Sequence, residues 1–392
     1  MSVRSLLALG STAVLALGFS LPLATAARAE SLSAVDIINT YNLVVFGDLD
    51  SKSEVEGKSF IQGDITGNNT SQYNIHNVPN NTVPALTVGG SINSSVTVDG
   101  RGLVVGGNIA APVQVNENNS GNPDIIVGGN VKSTVSGQFN GDGGSIYVKG
   151  SIQSGATAKA NGGSIYVTGP INGTADANGG GSVHSNSSEP ASHLPDVASQ
   201  ASDMKKTLSS YSSYLNSLTQ DSTVSVNGNT ATFAATAGSN GVAVFDISNP
   251  SQVFGANQFQ FTLGADVTSI IINVSGAFNG IINANFLAGM DKILGGNTIW
   301  NFTDATALDI KSLFGGTILA MLANVTIDQD IEGSVIAQAV TQNAEIHAHD
   351  DITGVAETPV PASLPLFVAA IGGLFGWQQL RRRKQVGGQL AA

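Results

Sequence analysis

From residue 61 to residue 171, apolar and polar positions alternate in short bursts that recur along the chain. The kernel is apolar-x-Val-x-Gly-x-apolar, written as Leu86-Thr-Val-Gly-Gly90-Ser-Ile92, Leu103-Val-Val-Gly-Gly107-Asn-Ile109 and Ile125-Ile-Val-Gly-Gly129-Asn-Val131. It returns as Ile146-Tyr-Val-Lys-Gly150-Ser-Ile152 and Ile165-Tyr-Val-Thr-Gly169-Pro-Ile171, with a degenerate first copy at Ile61-Gln-Gly63-Asp-Ile65. The kernel glycines from Gly90 onward lie 17, 22, 21 and 19 residues apart. Self-similarity at a period near 20 residues marks a solenoid. Alternate residues of a strand share a face, so Leu103, Val105, Gly107 and Ile109 are expected to point inward and Val104, Gly106 and Asn108 outward. The inward glycine signals a bend or a close backbone approach at a corner of the coil. Spacers such as Asn118-Asn-Ser-Gly-Asn-Pro123 and Asn140-Gly-Asp-Gly-Gly144 supply turn residues. Each coil exposes an apolar edge that only a neighbour can bury, so the coils must stack. Strand content alone also fits a β-sandwich; the period favours the solenoid.

The rhythm changes after a Gly- and Ser-rich stretch at 178–192. Leu194, Val197, Ala201, Met204, Leu208, Tyr211, Leu215 and Leu218 follow at alternating steps of three and four, one stripe of an amphipathic helix over about residues 193–219. Ser192 and Pro195-Asp196 stand where a helix start uses a cap, a proline and an acid. The flanks carry Ser instead of charge pairs, which favours a helix lying along the solenoid over a coiled-coil partner. Strand character returns at 223–233, 241–247, 259–263, 269–274, 298–302 and 316–327. The expected fold is therefore all-β, a β-solenoid (β-helix) of about residues 34–355 with one long amphipathic α-helix packed alongside.

The two ends have a different character. Arg4, an apolar run from Leu6 to Leu23 and the small-x-small site Ala27-Arg28-Ala29 have the three-part layout of a secretory signal peptide over residues 1–29, with cleavage before Glu30. At the other end Thr358-Pro-Val-Pro-Ala-Ser precedes an apolar stretch, a short transmembrane segment at 364–380, and then Arg381, Arg382, Arg383 and Lys384. A span that short barely crosses a hydrocarbon core, and the basic cluster would stay on the cytoplasmic side. A plain tail anchor is the alternative reading of this segment, disfavoured by a span this short.

Composition narrows the function. There is no cysteine, so neither disulfides nor thiolate metal sites are available. All 28 acidic residues lie between Glu30 and Glu357 with 10 of the 16 basic ones, giving that stretch a net charge of −18. Phosphate neutralisation needs Lys and Arg, so a nucleic-acid partner is not expected. A polysaccharide-cleaving enzyme on a solenoid would need paired carboxylates, one of them protonated, or a base assisted by a cation. Asp48, Asp50, Glu54, Glu56 and Asp64 cluster early, and Asp328, Asp330 and Glu332 would share a face if their segment is a strand. The body has a single arginine, Arg101, with Asp99 beside it, and solvated turn acids account for these clusters better than a catalytic pair.

Glu345, His347, His349 and Asp351 would likewise project from one face of a strand, and His347, His349 and Asp351 are the weak metal-ligand candidates. No second histidine cluster completes such a shell. Asn140-Gly-Asp142 and similar turns could offer oxygens to calcium, though surface turns explain them and no cofactor is expected. An ice-binding protein would need a regular threonine array on a flat face, whereas Thr87, Thr97, Thr134 and Thr168 are unevenly placed.

Tyr41-Asn-Leu-Val-Val-Phe-Gly47-Asp48-Leu49, Val55-Glu-Gly57, Gln62-Gly63-Asp64-Ile65, the Val-x-Gly kernels and the helical insert resemble the choice-of-anchor A domain. So does the ending Gly316-Thr-Ile-Leu-Ala320, Ile331-Glu-Gly333-Ser-Val-Ile-Ala337 and Glu345-Ile-His347. Met321-Leu322 departs from the pattern, which places a proline there. The arrangement also looks like ice-binding and adhesin β-solenoids with a helix alongside. The C-terminal signal resembles the PEP-CTERM sorting signals of Gram-negative bacteria in their Val-Pro-Leu-Pro-Ala variant, with Val360, Pro361 and Ala362 carrying the match. These resemblances imply export to the cell surface or extracellular matrix, with a signal peptidase and an exosortase-type protease as processing partners. The membrane would be met only through the C-terminal signal, and an exopolysaccharide or surface ligand is the expected binding partner. The function expected is that of a non-enzymatic structural or adhesive module, with a polysaccharide-modifying enzyme and an ice-binding protein as alternatives.

Overall fold

The computed structural model describes residues 32–76, 83–100, 102–116, 124–139, 144–349 and 351. The signal-peptide site at Ala27 and Ala29, the segment 364–380, Val360, Pro361, Ala362, Arg381, Arg382 and Arg383 lie outside these residues, as do Arg101 and the turn Asn140-Gly-Asp142.

The Val-x-Gly kernels are short strands of a three-faced parallel solenoid, each turn visiting three faces. One turn runs Leu103–Val105 on the first face, Ile109 on the second and Val113–Asn116 on the third. The next runs Ile125–Val127, Val131 and Thr134–Gln138, paired to it in register. Leu103, Val105, Ile109, Val113 and Val115 point inward and are buried, as the alternation predicts.

On the first face thirteen strands form one parallel ladder. Its order is Val242–Ile247, Ser269–Val274, Thr298–Phe302, Thr317–Ile327, Val335–Gln342, Leu43–Val45, Ser59–Ile61, Leu86–Val88, Leu103–Val105, Ile125–Val127, Ser145–Val148, Ser164–Val167 and Val183–Ser185. At about 4.8 Å per step this is a rod of roughly 57 Å. The chain therefore starts inside the ladder, winds outward to residue 185, returns along the flank and winds back until its last long strand pairs with its first. Leu43 faces Val335 across that seam. The third face closes there too, where Ile346–His347 lies between Ile331–Glu332 and Val55.

Helix α1 (Ala34–Thr40) opens with a capping box between Ser33 and Asp36. Helix α2 (Glu189–His193) is a single turn, and α3 (Val197–Asn216) is the long return helix. Ser192 thus lies inside α2, and the cap of α3 is Asp196, whose Oδ1 accepts from the Ser199 amide at 3.0 Å. Val197, Ala201, Met204, Leu208, Tyr211 and Leu215 are buried, so the three-four stripe was the packed face. They cover the outward side chains of the first face, among them Val44, Phe60, Val104, Val244, Ile271, Ile299, Leu319 and Ile336. Val104, expected to face outward, does so but is buried, because α3 supplies a second apolar layer. That is why strands such as Leu-Val-Val are apolar without alternation.

Polar contacts fix the helix as well. Asn301 Nδ2 donates to the Ser212 carbonyl at 2.9 Å, and Asn273 Nδ2 donates to the Leu215 carbonyl at 2.8 Å. These two bonds tie the last turns of the helix to the sheet, and the Leu215 carbonyl accepts from the Leu218 amide as well, at 3.2 Å.

The kernel glycines do not point into the core. A Cβ on Gly107 would stand 2.5 Å from Ser91 Oγ and 2.7 Å from the Gly90 carbonyl of the preceding coil. The constraint is stacking along the rod. The residue after each glycine completes the corner: Asp48 Oδ1 accepts from the Asp64 amide, Asp64 Oδ1 from Ser91, Ser91 Oγ from Asn108, Asn108 Oδ1 from Asn130 and Asn130 Oδ1 from Ser151, all at 2.6–2.9 Å. Pro170 occupies the next corner, where a residue without an amide hydrogen ends the column.

Candidate functional site

With the first face under helices, the third face presents an ordered array of outward polar side chains. Its outward residues stand in columns set by unshifted registers. Gln72, Thr97, Gln114, Ser136, Lys159 and Asp176 form one column. Asp99, Asn116, Gln138, Asn161 and Asn178 form a second. Amides bridge the rungs: Asn116 Nδ2 donates to Asp99 Oδ1 at 3.0 Å, and Asn161 Nδ2 to Gln138 Oε1 at 2.8 Å. These bonds hold side chains in fixed geometry while leaving them exposed or half-buried.

A third column aligns Thr134, Thr157 and Thr174 in register. Of the threonines singled out in the sequence, Thr87 is buried on the first face, Thr168 donates to the Ser187 carbonyl at 2.8 Å, and Thr97 and Thr134 occupy different columns of the third face. The threonine register was hidden by unequal loop lengths between coils.

The acid clusters dissolve into structural roles. Asp48 and Asp64 belong to the corner column, Glu54 accepts from Gln72 Nε2 at 3.0 Å, and Asp50 lies between Thr341 and Thr66 on the second face. Asp99 serves Asn116. The strand expected to align Asp328, Asp330 and Glu332 is only Ile331–Glu332, so alternation does not reach the aspartates. Asp328 instead pairs with Lys311 and accepts from Asn343, and the Lys311 bond holds its carboxyl below the usual range. Asp330 accepts from the Glu345 amide at 3.1 Å.

The Glu345–Asp351 segment is likewise a strand for only two residues, Ile346–His347. Its side chains go to different partners. His347 Nδ1 lies 3.0 Å from Glu332 Oε1 and Nε2 lies 3.1 Å from Glu345 Oε2. His349 Nε2 meets Ser334 Oγ at 3.1 Å, and Asp351 is exposed. Two carboxylates on opposite ring nitrogens cannot close on one ion. Both nitrogens can donate at once only in the protonated ring, so the arrangement favours the charged form. Burial pulls the pKa of His347 down, but hydrogen bonds to Glu332 and Glu345, with the charges of Glu332 and Glu56, outweigh it and leave the group above its ordinary value. Glu56 accepts from the Ala348 amide at 2.8 Å and faces His76 Nδ1 at 3.2 Å. Among the described residues no three His, Asp or Glu side chains converge as metal ligands do.

Two smaller features remain. Beyond the end of α3, four rings stack along the first face: His193 on Tyr147 at 3.9 Å, Tyr147 on Tyr166 at 5.1 Å and Tyr166 on His184 at 4.5 Å. Near the seam, the short helix at Met290–Leu294 and the tail after His347 flank a cleft of about 460 Å³ lined by Lys292, Ile293, Gly295, Gly296, Asn297, Glu332, Ala348 and His349. No local pattern announces this cleft, because its walls come from three separate stretches of the chain, at 292–297, Glu332 and 348–349.

A helix-covered parallel solenoid with a hydrogen-bonded polar face and a dispersed set of acids is a β-helix. More particularly, the chain belongs to the ice-binding-like adhesive domain family, which it matches over residues 34–140 and 115–348. Among solved structures it is similar to an ice binding protein from an Antarctic bacterium of the Flavobacteriaceae, at 13% identity and a TM-score of 0.25, over 84% of this chain and 98% of that one. It is also similar to the tapirin C-terminal domain of Caldicellulosiruptor kristjanssonii, at 12% identity and a TM-score of 0.20, over 85% of this chain and 96% of that one. No curated protein matches the sequence. Among the described residues no helix is long and apolar enough to cross a membrane.

Proposed function

We propose that the protein is a non-enzymatic adhesive rod of the bacterial cell surface or extracellular matrix, and that its third face is the contact surface. The observation that carries this reading is the in-register set of columns from Gln72 to Asp176 and from Asp99 to Asn178. Rungs about 4.8 Å apart present a regular series of weak hydrogen-bonding groups to an extended partner, and repeated weak contacts add to strong attachment when their spacing is fixed. An exopolysaccharide or another polymeric surface ligand suits such a face. Export by signal peptidase at Ala27-Arg28-Ala29, and recognition of Val360, Pro361, Ala362 and the Arg381–Arg383 cluster by an exosortase-type protease, complete the proposal as a choice-of-anchor protein with a PEP-CTERM-type signal.

The test uses the full chain in the form the cell produces, incubated with matrix polysaccharide from the same culture. Ser136→Tyr with Thr157→Tyr, two bulky residues on neighbouring rungs, should lower retention at least tenfold while leaving the unfolding midpoint nearly unchanged. Equal retention would refute the third face as the contact surface. Release of sugar from the polysaccharide would overturn the non-enzymatic reading, and thermal hysteresis would assign the Thr134, Thr157 and Thr174 column to ice.

A further inference from the structure

We propose that the cleft beside the seam, where the closing strands of the third face meet the short helix Met290–Leu294, is a binding site for a neutral saccharide unit, distinct from the columns between Gln72 and Asn178. Its volume of about 460 Å³ falls within the ~300–1,000 Å³ of small-molecule sites. The lining supplies what a sugar ring needs. Lys292 donates, Asn297 both donates and accepts, Glu332 accepts, the backbone of Gly295 and Gly296 borders the same space, and Ile293, 54% exposed, offers an apolar surface for the C–H face of a pyranose.

The carboxylate in this set is pre-oriented. Glu332 Oε1 is held by His347 Nδ1 at 3.0 Å, whereas Oε2 makes no hydrogen bond among the described residues and remains an acceptor. His347 is held in turn by Glu345, so the rotamer of Glu332 is fixed before any ligand arrives. Fixing a polar group in advance reduces the entropy lost on binding.

Electrostatics select the ligand. Glu56, Glu332 and Glu345 surround the His347 ring, and Lys292 is the cation among the cleft residues. The lining itself carries one cation, Lys292, and one carboxylate, Glu332, so neither an anionic sugar nor an amino sugar meets a net opposite charge. Hydroxyl groups are accommodated by donors and acceptors alike. The proposal rests on the adhesive reading above and adds to it a site that holds one short stretch of a polymer chain.

Isothermal titration of the full exported chain with cellotetraose, laminaritetraose, maltotetraose and mannotetraose, against trigalacturonate as the anionic probe, tests it. At least one neutral tetrasaccharide should bind with one-to-one stoichiometry, and trigalacturonate should not. Asn297→Ala and Lys292→Gln, both at exposed positions, should each weaken that binding about tenfold, the loss of one well-placed hydrogen bond. Ser136→Tyr on the third face should leave it unchanged. Binding of no neutral probe, preference for trigalacturonate, or affinity unmoved by both cleft variants would overturn the proposal. If the cleft variants are silent while the third-face variant abolishes retention on matrix polysaccharide, the cleft alone fails. If the wild-type chain is not retained on that polysaccharide, the adhesive reading fails.

Discussion

A single side-chain oxygen at each corner decides how one coil sits on the next. Asn108 Oδ1 accepts from the Asn130 amide at 2.8 Å, while the Asn108 amide is satisfied by Ser91 Oγ at 2.9 Å. Asn108→Ala removes the acceptor and leaves an amide of the next coil without a partner, which should cost about 1–3 kcal/mol. Asn108→Asp retains the acceptor and should cost well under half of that; guanidinium denaturation of the two variants side by side checks the ordering. The kernel glycine is legible in the sequence, but its purpose is not. A period-two rule sends Gly107 inward, whereas at a corner the backbone leaves the strand conformation and the missing side chain faces the coil above or below. The Asp, Ser or Asn that follows each glycine was visible as a polar residue, and nothing local announced that its partner lay some 20 residues away.

At the scale of elements, α3 was the most legible part of the molecule, because a 20-residue helix repeats its stripe often enough to stand out. Leu208 is fully buried and Ser209 is exposed. Leu208→Ala should therefore destabilise by about 2–5 kcal/mol, and Ser209→Ala should stay within about 0.5 kcal/mol, as read from thermal or denaturant midpoints. The closing strand Ile346–His347 was far less legible, because a two-residue strand has no period. Its stability carries a pH dependence whose sign follows from His347. The folded-state pKa is raised above the unfolded value of about 6.5, so the contribution is fully present below that value and is lost as pH rises through the folded one. Glu332, Glu345 and Glu56 face the ring, with His76 beyond Glu56 and His349 two residues along. Unfolding midpoints measured from pH 6 to pH 9 should fall in the wild type relative to His347→Gln, in which that part of the slope should vanish.

For the whole molecule, the period of the kernel and the helix stripe were enough to define a solenoid with a helix along its flank. The order of the coils was not readable, since no sequence signal says that Val335–Gln342 pairs with Leu43–Val45 or that the chain begins in the middle of its own ladder. Long-range closure of this kind means that the first strand has an open edge until the last has been made. A chain ending at Gly333 should expose the edges of Leu43–Val45 and Thr317–Ile327 to other chains. It should accumulate as aggregate in a light-scattering assay at concentrations where the complete chain stays monodisperse.

Were the protein held through the chain that follows Asp351, the same placement would set where mechanical load enters. Asp351 follows the closing strand at the seam, with five strands of the first-face ladder on one side and eight on the other. A tether drawn through that point grips the rod near its middle instead of at a tip, so that a pull on it is shared by two short arms and turns the rod broadside to its support. A long polar flank held in that attitude can lie along a surface over most of its length.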